Sequence, residues 1–403
     1  MSNVIIYLAA AILGKLFPFL LIPILTEALT PLEYGVWAFF LAILSFVDPL
    51  VTCSAQNYLA KNYFVKNESE RGILIHNTIF IFICNFLLVS LLMGGYCLLI
   101  GSLRWEFLLI PVLSVFNSFI VLKLLILRNE NSSIVFGLLE ISKVGCCFSL
   151  AVFLVLFTEL GWVGCVIGFL TGTLVVSLIS LKSMLKCPVN AKMLNLELIK
   201  EIYKLSLPLL PVGLANVANN AADKIIIARL LGESALGIYA ISYSFGQLIT
   251  LFIASYIKYW GPIYYKGAAN GIVSYEFIRK SSFQYIPIIA ALALISYVVI
   301  DVFLFDLMVN DSFTEGKDII PIIITALVIQ GVFFFAIPFY IKTNRTKLLS
   351  LITIISAIIN IGLNYILIPM FGLVGSAYST LISYVFLSSV GHYLNVKYVK
   401  KFS

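Results

Sequence analysis

The sequence is poor in charged residues, in histidine and in long polar stretches. Asp, Glu, Lys and Arg together make up 11% of its 403 residues, and it contains only 2 histidines. A zinc site needs several His or Cys ligands, and the 7 cysteines include no Cys-x-x-Cys pair. We therefore expect no metal, no disulfide framework and no cofactor.

Signatures of catalysis are also missing. The sequence has no glycine-rich phosphate loop, no nucleophile elbow and no pair of carboxylates in an acid/base arrangement. The connections expected on the outer side are too short to hold a catalytic domain, and the longest runs from Asn310 to Asp318. These absences indicate that the protein is not an enzyme, and they disfavour a membrane glycan polymerase or ligase.

Long apolar segments are what the sequence has in abundance. Apolar residues make up 61% of the chain, and the mean hydropathy is +1.06. A helix needs about 20 apolar residues to cross a hydrocarbon core of about 30 Å, and we expect about twelve such helices. The predicted spans are 3–25, 33–55, 73–100, 105–127, 134–157, 162–185, 204–230, 235–257, 283–309, 318–341, 346–368 and 372–396. The fold class predicted is therefore all-α integral membrane.

The distribution of basic residues sets the expected orientation. Most of the 26 Lys and Arg residues fall in connections on one side, whereas Arg104, Arg229 and Lys317 fall on the other. Because cytoplasmic connections are enriched in Lys and Arg, we expect both termini in the cytoplasm. The net charge of +7 is thus explained by the basic residues that orient the chain in the membrane. We therefore expect no nucleic-acid partner.

The sequence also repeats itself once. The segment 23–38 returns as 225–240, so that Gly35 corresponds to Gly237. A second motif, Leu160–Gly164, returns in the same order as Phe371–Gly375. Both matches are separated by about 200 residues, and an internal duplication of this kind in a membrane chain indicates a transporter.

The repeat predicts the arrangement of the spans. Six predicted spans fall in each half, so both halves begin on the same side of the membrane and are parallel. We expect two parallel six-helix lobes around a central cavity. The predicted parts are an N-terminal lobe of residues 1–185, a cytoplasmic linker of residues 186–203 and a C-terminal lobe of residues 204–403.

A run of polar residues interrupts the seventh predicted span. A charged group at mid-membrane costs about 2.5–3.5 kcal/mol or more, so each one needs an explanation. The spacing places the run on one helical face, which we expect to line a water-filled cavity and bind substrate; interhelical hydrogen bonding is the alternative. The run consists of Asn216, Asn219, Asn220, Asp223 and Lys224.

Lys15 stands alone in the middle of the first predicted span. Since Asp223 and Lys224 are sequence neighbours, they do not face each other along a helix, and Lys15 is the candidate partner for Asp223. Lys15 and Lys224 are expected at different depths on matching helices. Two basic residues placed in this way are suited to bind an anionic group one after the other as it crosses the membrane. The alternative is that Lys15 extends to the membrane surface.

Asp48 precedes Pro49 in the second predicted span. Because proline lacks an N–H, it frees a backbone carbonyl in the preceding turn. The position is thus either a polar pocket or a local structural feature. We expect Asp48 and Asp223 to be the candidates for binding a coupling ion, H⁺ or Na⁺.

Several motifs resemble one family of membrane proteins. The segments Ile22–Thr26, Pro31–Gly35 and Pro49–Thr52 are similar to the opening of the polysaccharide transporter family, the Wzx-type O-antigen flippases. This family belongs to the multidrug/oligosaccharidyl-lipid/polysaccharide exporter superfamily. Later segments of this chain resemble the second-half and closing patterns of the same family: Leu207–Pro211, Asp223–Ile227, Ala235–Tyr239 and Asn364–Ala377. The resemblance therefore covers essentially the whole chain.

The resemblance implies a flippase of the bacterial cytoplasmic (inner) membrane that takes part in lipopolysaccharide or other surface-polysaccharide biosynthesis. It would translocate an undecaprenyl-pyrophosphate-linked oligosaccharide by alternating access, with Lys15 and Lys224 meeting phosphate. The implied partners are that lipid-linked oligosaccharide, membrane lipids, and the polymerase and chain-length regulator of the same pathway. The alternatives are an H⁺/Na⁺-coupled multidrug exporter of the same superfamily and, less favoured, a membrane glycan polymerase or ligase.

Overall fold

The computed structural model describes residues 2–100, 105–185, 194–269, 275–343 and 345–402. Within these ranges every regular element is a helix and none is a strand. The predicted all-α fold is confirmed.

Sixteen α-helices follow one another along the described ranges. They are α1 (Ser2–Leu20), α2 (Ile22–Ala28), α3 (Pro31–Thr52), α4 (Ala55–Asn62), α5 (Glu68–Ile100), α6 (Glu106–Asn129), α7 (Ser133–Phe157), α8 (Trp162–Met184), α9 (Leu196–Ser206), α10 (Leu210–Leu230), α11 (Glu233–Gly246), α12 (Ile249–Ala269), α13 (Tyr275–Val299), α14 (Phe305–Met308), α15 (Ile320–Lys342) and α16 (Thr346–Phe402). Short 3₁₀ segments cover Leu207–Leu209 and Asp311–Ile319, and a π-helical turn covers Ile300–Leu304.

Eight of the described helices are long and apolar enough to cross a membrane, and the bent pair of α11 and α12 raises this to as many as nine. The polar run makes α10 less apolar than its neighbours, and α16 counts once although Gly372 divides it into two helices. The predicted spans 3–25 and 204–230 correspond to α1 and α10, and the last two predicted spans correspond to the parts of α16 before and after Gly372.

Proline and glycine mark the places where the helices break. Pro23 lies in the first turn of α2, and Pro31 is the first residue of α3. Pro208 lies in the 3₁₀ turn that precedes α10. Gly372 has a φ of +59°, a left-handed conformation that a residue with a side chain rarely adopts. Such breaks redirect the chain without leaving it unfolded inside the membrane.

Side-chain caps fix the beginnings of three helices. Thr30 and Glu33 form a capping box at α3, in which the Glu33 carboxylate accepts the Thr30 N–H at 3.0 Å. Asn67 and Glu70 form the equivalent box at α5. The Asn195 side chain accepts two backbone N–H groups at the start of α9. The caps satisfy N–H groups that have no partner within their own helix.

Packing divides the chain into two compact units. The first unit comprises Met1–Leu29 and Val36–Val217, and the second comprises Thr30–Gly35 and Ala218–Ser403. Of the predicted linker, residues 186–193 lie outside the described residues, and α9 packs against α4 and α5 within the first unit. The lobe boundary at 186–203 therefore stays a prediction about the sequence repeat.

Glycines on α8 bring two helices of the first unit together. Gly164, Gly168 and Gly172 are spaced by four and face α7, forming a small-residue stripe. A Cβ on Gly172 would lie 2.6 Å from the Cα of Cys147, and one on Gly168 would overlap the Ala151 backbone. This close approach lets α7 and α8 pack backbone against backbone, the usual way in which helices associate in lipid.

The two copies of the repeated motif meet within the second unit. A Cβ on Gly35 would overlap the Glu233 carbonyl, and a Cβ on Gly237 would overlap the Pro31 carbonyl. The contact is reciprocal, since each glycine lies against the first turn of the helix that carries the other. The sequence match of Gly35 with Gly237 thus has a structural reason.

Replacing Gly168 with Ala should destabilise the protein. The added methyl group overlaps the backbone of α7 at Ala151, so the helices have to separate, at a cost of about 1–3 kcal/mol. Thermal unfolding of the detergent-purified protein measures this as a lower Tm. The matched control is Gly145→Ala on α7, where an added Cβ meets no atom within 4 Å. Equal Tm values for the two variants would contradict the packing role of the stripe.

Candidate functional site

The polar run of α10 has a buried side and a more exposed side. Asn219 and Asp223 are buried in the protein. Asn216 and Asn220 are exposed, and Lys224 is partly exposed. At about 100° per residue these five positions cover an arc of about 140°, with Asn219 and Asp223 toward one edge of it and Asn220 and Lys224 toward the other. Burial divides the expected polar face into an inner row of Asn219 and Asp223 and an outer row of Asn216, Asn220 and Lys224.

Asp223 is held by two hydrogen bonds in the second unit. Its Oδ2 atom accepts from the Tyr239 hydroxyl at 2.7 Å, and its Oδ1 atom accepts from the Lys224 backbone N–H at 2.8 Å. Asp223 is 2% exposed and Tyr239 is fully buried. Both carboxylate oxygens therefore have donors, as a charge removed from water requires.

Tyr239 is a site residue that sequence reasoning missed. It lies in the repeated motif Leu236–Ala240, which drew attention through its glycine and not through its hydroxyl group. The Lys15–Asp223 pair stays a prediction. Lys15 is exposed on α1, and in the first unit Glu140 of α7 lies beside Gly14, where an added Cβ would meet the Glu140 carboxylate at 3.9 Å.

The Lys224 ammonium group is fixed at the outer row. Its Nζ atom donates to the Asn220 carbonyl at 3.3 Å and lies 4.4 Å from the centroid of the Tyr243 ring. An aromatic face at this distance attracts a cation and leaves some of its N–H groups available. Asp223 attracts the same cation electrostatically. The arrangement fixes the position of a positive charge beside Asn220, which is exposed.

Asn219 ties α10 to α16. Its amide Nδ2 donates to the Thr353 carbonyl at 3.1 Å, and its Oδ1 accepts from the Ser356 hydroxyl at 3.2 Å. The Tyr384 hydroxyl donates to the Asn219 carbonyl at 2.9 Å and lies 3.3 Å from Oδ1 of Asn220. For Asn219 the alternative interpretation, interhelical hydrogen bonding, is the one the geometry favours.

The polar network continues along α16. The Asn360 amide donates to the Ser383 hydroxyl at 3.2 Å, across the break at Gly372. The Ser376 hydroxyl donates to Oδ1 of Asn364 at 2.9 Å. These buried side chains pair with one another and leave few polar atoms unsatisfied, which makes the network a rigid support for α10.

Asp48 belongs to the first unit. It borders a cavity of about 460 Å³ at the end of α3, lined mainly by hydroxyl and amide side chains. In the part of the chain that the structure describes, no three His, Cys, Asp or Glu residues lie close enough to hold a metal ion together. Any cation bound here would rely on one carboxylate and neutral oxygens.

Comparison with known proteins gives one family and a common fold. Residues 1–264 match the family model described as "Polysaccharide biosynthesis protein". The fold is similar to the inward-facing conformation of a multidrug resistance MATE family transporter of the MOP superfamily, at 15% identity, with 96% of both chains covered and a TM-score of 0.74. Lipid II flippase MurJ in an inward closed conformation has a TM-score of 0.73 at 18% identity, covering 98% of this chain and 87% of that chain.

A third solved structure has the same fold. The outward-facing conformation of a multidrug resistance MATE family transporter has a TM-score of 0.61 at 16% identity, with 99% of this chain and 96% of that chain covered. At these identities the likeness shows the fold alone. Comparison with curated proteins gives no match.

Replacing Tyr239 with Phe should weaken the second unit. The variant removes the donor of Oδ2 and leaves a buried carboxylate oxygen unsatisfied, which costs about 1–3 kcal/mol. The Tm of the detergent-purified variant should fall accordingly. Tyr365→Phe is the control, because Tyr365 is 46% exposed on α16. An unchanged Tm for Tyr239→Phe would show that this hydrogen bond does not support Asp223.

Proposed function

This chain belongs to the polysaccharide biosynthesis protein family, and we propose that it is a flippase for an undecaprenyl-pyrophosphate-linked oligosaccharide. The substrate would be an O-antigen or similar repeat unit, moved across the bacterial cytoplasmic membrane by alternating access. The proposed partners are this lipid-linked oligosaccharide, membrane lipids, and the polymerase and chain-length regulator of the pathway. Both termini are proposed to be cytoplasmic, from the bias of basic residues.

The observation that carries the proposal is the fixed position of Lys224 on the outer row of α10. Its ammonium is held over the Tyr243 ring and is partly exposed. An ammonium group binds phosphate as a point charge with several donors, and phosphate is the charged part of a lipid-linked sugar. We therefore propose that Lys224 contacts the pyrophosphate.

The exposed amides next to Lys224 suit the other polar parts of such a substrate. Asn216 and Asn220 lie about two turns and one turn, respectively, before Lys224 on the same row of α10. A side-chain amide both donates and accepts hydrogen bonds, as a sugar hydroxyl does. We propose that these two residues bind substrate, whereas Asn219 and Asp223 position the outer row from the buried side.

Lys15 is the proposed second phosphate contact. It is exposed on α1, near the middle of a predicted span, where ionisable residues are rare and often mark a transport pathway. Of the two carboxylates proposed for a coupling ion, Asp223 already has a donor for each oxygen. Asp48 is therefore the stronger candidate.

The test is complementation of a flippase-null bacterial strain, scored by surface glycan. We expect Lys224→Ala and Lys15→Ala each to reduce glycan at least about tenfold, since a lost phosphate contact is worth 1.4 kcal/mol or more. Lys224→Arg keeps the charge and should retain partial activity. Membrane insertion, measured by immunoblot of the membrane fraction, should be unchanged in all variants.

Lys347→Ala, in an exposed position at the start of α16, is the matched control and should complement fully. Full complementation by both Lys15→Ala and Lys224→Ala would overturn the phosphate contacts. If the wild-type protein fails to restore glycan but raises drug resistance, the flippase proposal is wrong and a multidrug exporter takes its place.

A further inference from the structure

Two tyrosines of α11 contact the adjacent acid and base of α10 in different ways. Tyr239 and Tyr243 lie one helical turn apart, with their ring centroids separated by 5.8 Å. The Tyr239 hydroxyl donates to the Asp223 carboxylate at 2.7 Å. The centroid of the Tyr243 ring lies 4.4 Å from Nζ of Lys224. The acid is therefore held by a hydroxyl group, and the base is held by the face of a ring.

The groups that touch the Lys224 ammonium carry no formal charge. They are the Tyr243 ring and the Asn220 carbonyl, which accepts from Nζ at 3.3 Å. An aromatic ring attracts a cation through its quadrupole, which has no net charge. Lys224 is thus positioned without being neutralised, and its full charge acts on any anion that approaches.

An ion pair would have the opposite effect on this lysine. A carboxylate in the place of the ring would fix the ammonium equally well, but it would cancel the charge and compete with phosphate. Asp223 is the adjacent acid and attracts Lys224. Its two oxygens, however, accept from the Tyr239 hydroxyl and from the Lys224 backbone N–H. These two bonds hold the carboxylate on the buried side of α10.

The Tyr243 ring also orders a flexible side chain. Lysine carries its charge on a four-carbon chain, and ordering such a chain when a ligand binds lowers the affinity. Tyr243 is 2% exposed, so its ring is fixed by the surrounding protein. The ammonium is therefore in place before a ligand arrives.

We propose that Tyr243 is a positioning residue of the phosphate site. Its ring face holds Lys224 ready for an anionic phosphate and leaves the positive charge uncancelled. This inference rests on the phosphate contact proposed above for Lys224. It assigns a role to a residue that acts through Lys224, and it requires the ring of Tyr243 rather than the hydroxyl group.

The test is binding of inorganic pyrophosphate to the purified full-length protein. The affinity is measured as the pyrophosphate concentration that gives half of the maximal rise in Tm, with sodium sulfate keeping the ionic strength constant. Tyr243→Leu removes the ring and should weaken binding about threefold to tenfold, the range expected for a lost cation–π contact. Tyr243→Phe keeps the ring and should restore most of this affinity.

Fluorination of the ring separates its attraction for the cation from its packing. Fluorine withdraws electron density from the ring face and weakens the attraction, with little change in the size of the ring. In the Tyr243→Phe background, monofluorinated and trifluorinated phenylalanine should therefore weaken pyrophosphate binding stepwise. A ring with a purely structural role would give the same affinity throughout the series.

A double-mutant cycle determines whether Tyr243 acts through Lys224. Lys224→Ala should remove most of the pyrophosphate response, and adding Tyr243→Leu should then weaken binding no further. Independent roles would instead give additive losses. Tyr378→Leu is the control and should bind as the wild type does, because Tyr378 is 44% exposed on α16.

The outcomes distinguish this inference from the proposed function. If Lys224→Ala is defective but Tyr243→Leu and the fluorinated variants bind as the wild type does, the positioning role is overturned and the flippase proposal stands. If Lys224→Ala leaves the pyrophosphate response unchanged, the phosphate contact is overturned, and this inference with it. If Tyr243→Leu does not fold, the fluorinated series decides, because it preserves the size of the side chain.

Discussion

A polar group inside a hydrocarbon layer must find its partner within the protein, because no water is there to supply one. In the second unit, this constraint explains the Asp223–Tyr239 hydrogen bond and the contacts of Asn219 with Thr353 and Ser356. Each bond joins α10 to another helix. The buried residues of the polar run therefore fix the packing of α10 within the second unit.

The same constraint separates structural acids from candidate ligands. Asp223 has a hydrogen-bond donor for each carboxylate oxygen, whereas only Oδ2 of Asp48 has an amide donor, from Asn117. Pro49 adds to this difference, because proline has no backbone N–H and the turn of α3 that contains Asp48 therefore has one donor fewer.

Close helix packing rests on small residues in both units. The glycines of α8 lie against the backbone of α7, and Gly35 and Gly237 lie against each other's helices. Apolar side chains gain little by leaving lipid for a protein interior, so backbone approach and hydrogen bonds supply the specificity. The repeated motif preserves such a contact, which is a physical reason for its two copies to remain similar.

Hydrophobic runs of sufficient length determined the all-α fold and nearly all the spans by themselves, since only helices satisfy their own backbone in lipid. The sequence also predicted that α10 carries a polar face, from the spacing of Asn216, Asn219, Asn220, Asp223 and Lys224. What the sequence could not decide was which of these residues are buried. A rotation of about 100° per residue separates neighbours such as Asn219 and Asn220, and the direction of each depends on where α11 and α16 pack. Tyr239 as the partner of Asp223, and Asn117 as a partner of Asp48, were decided only by tertiary contacts.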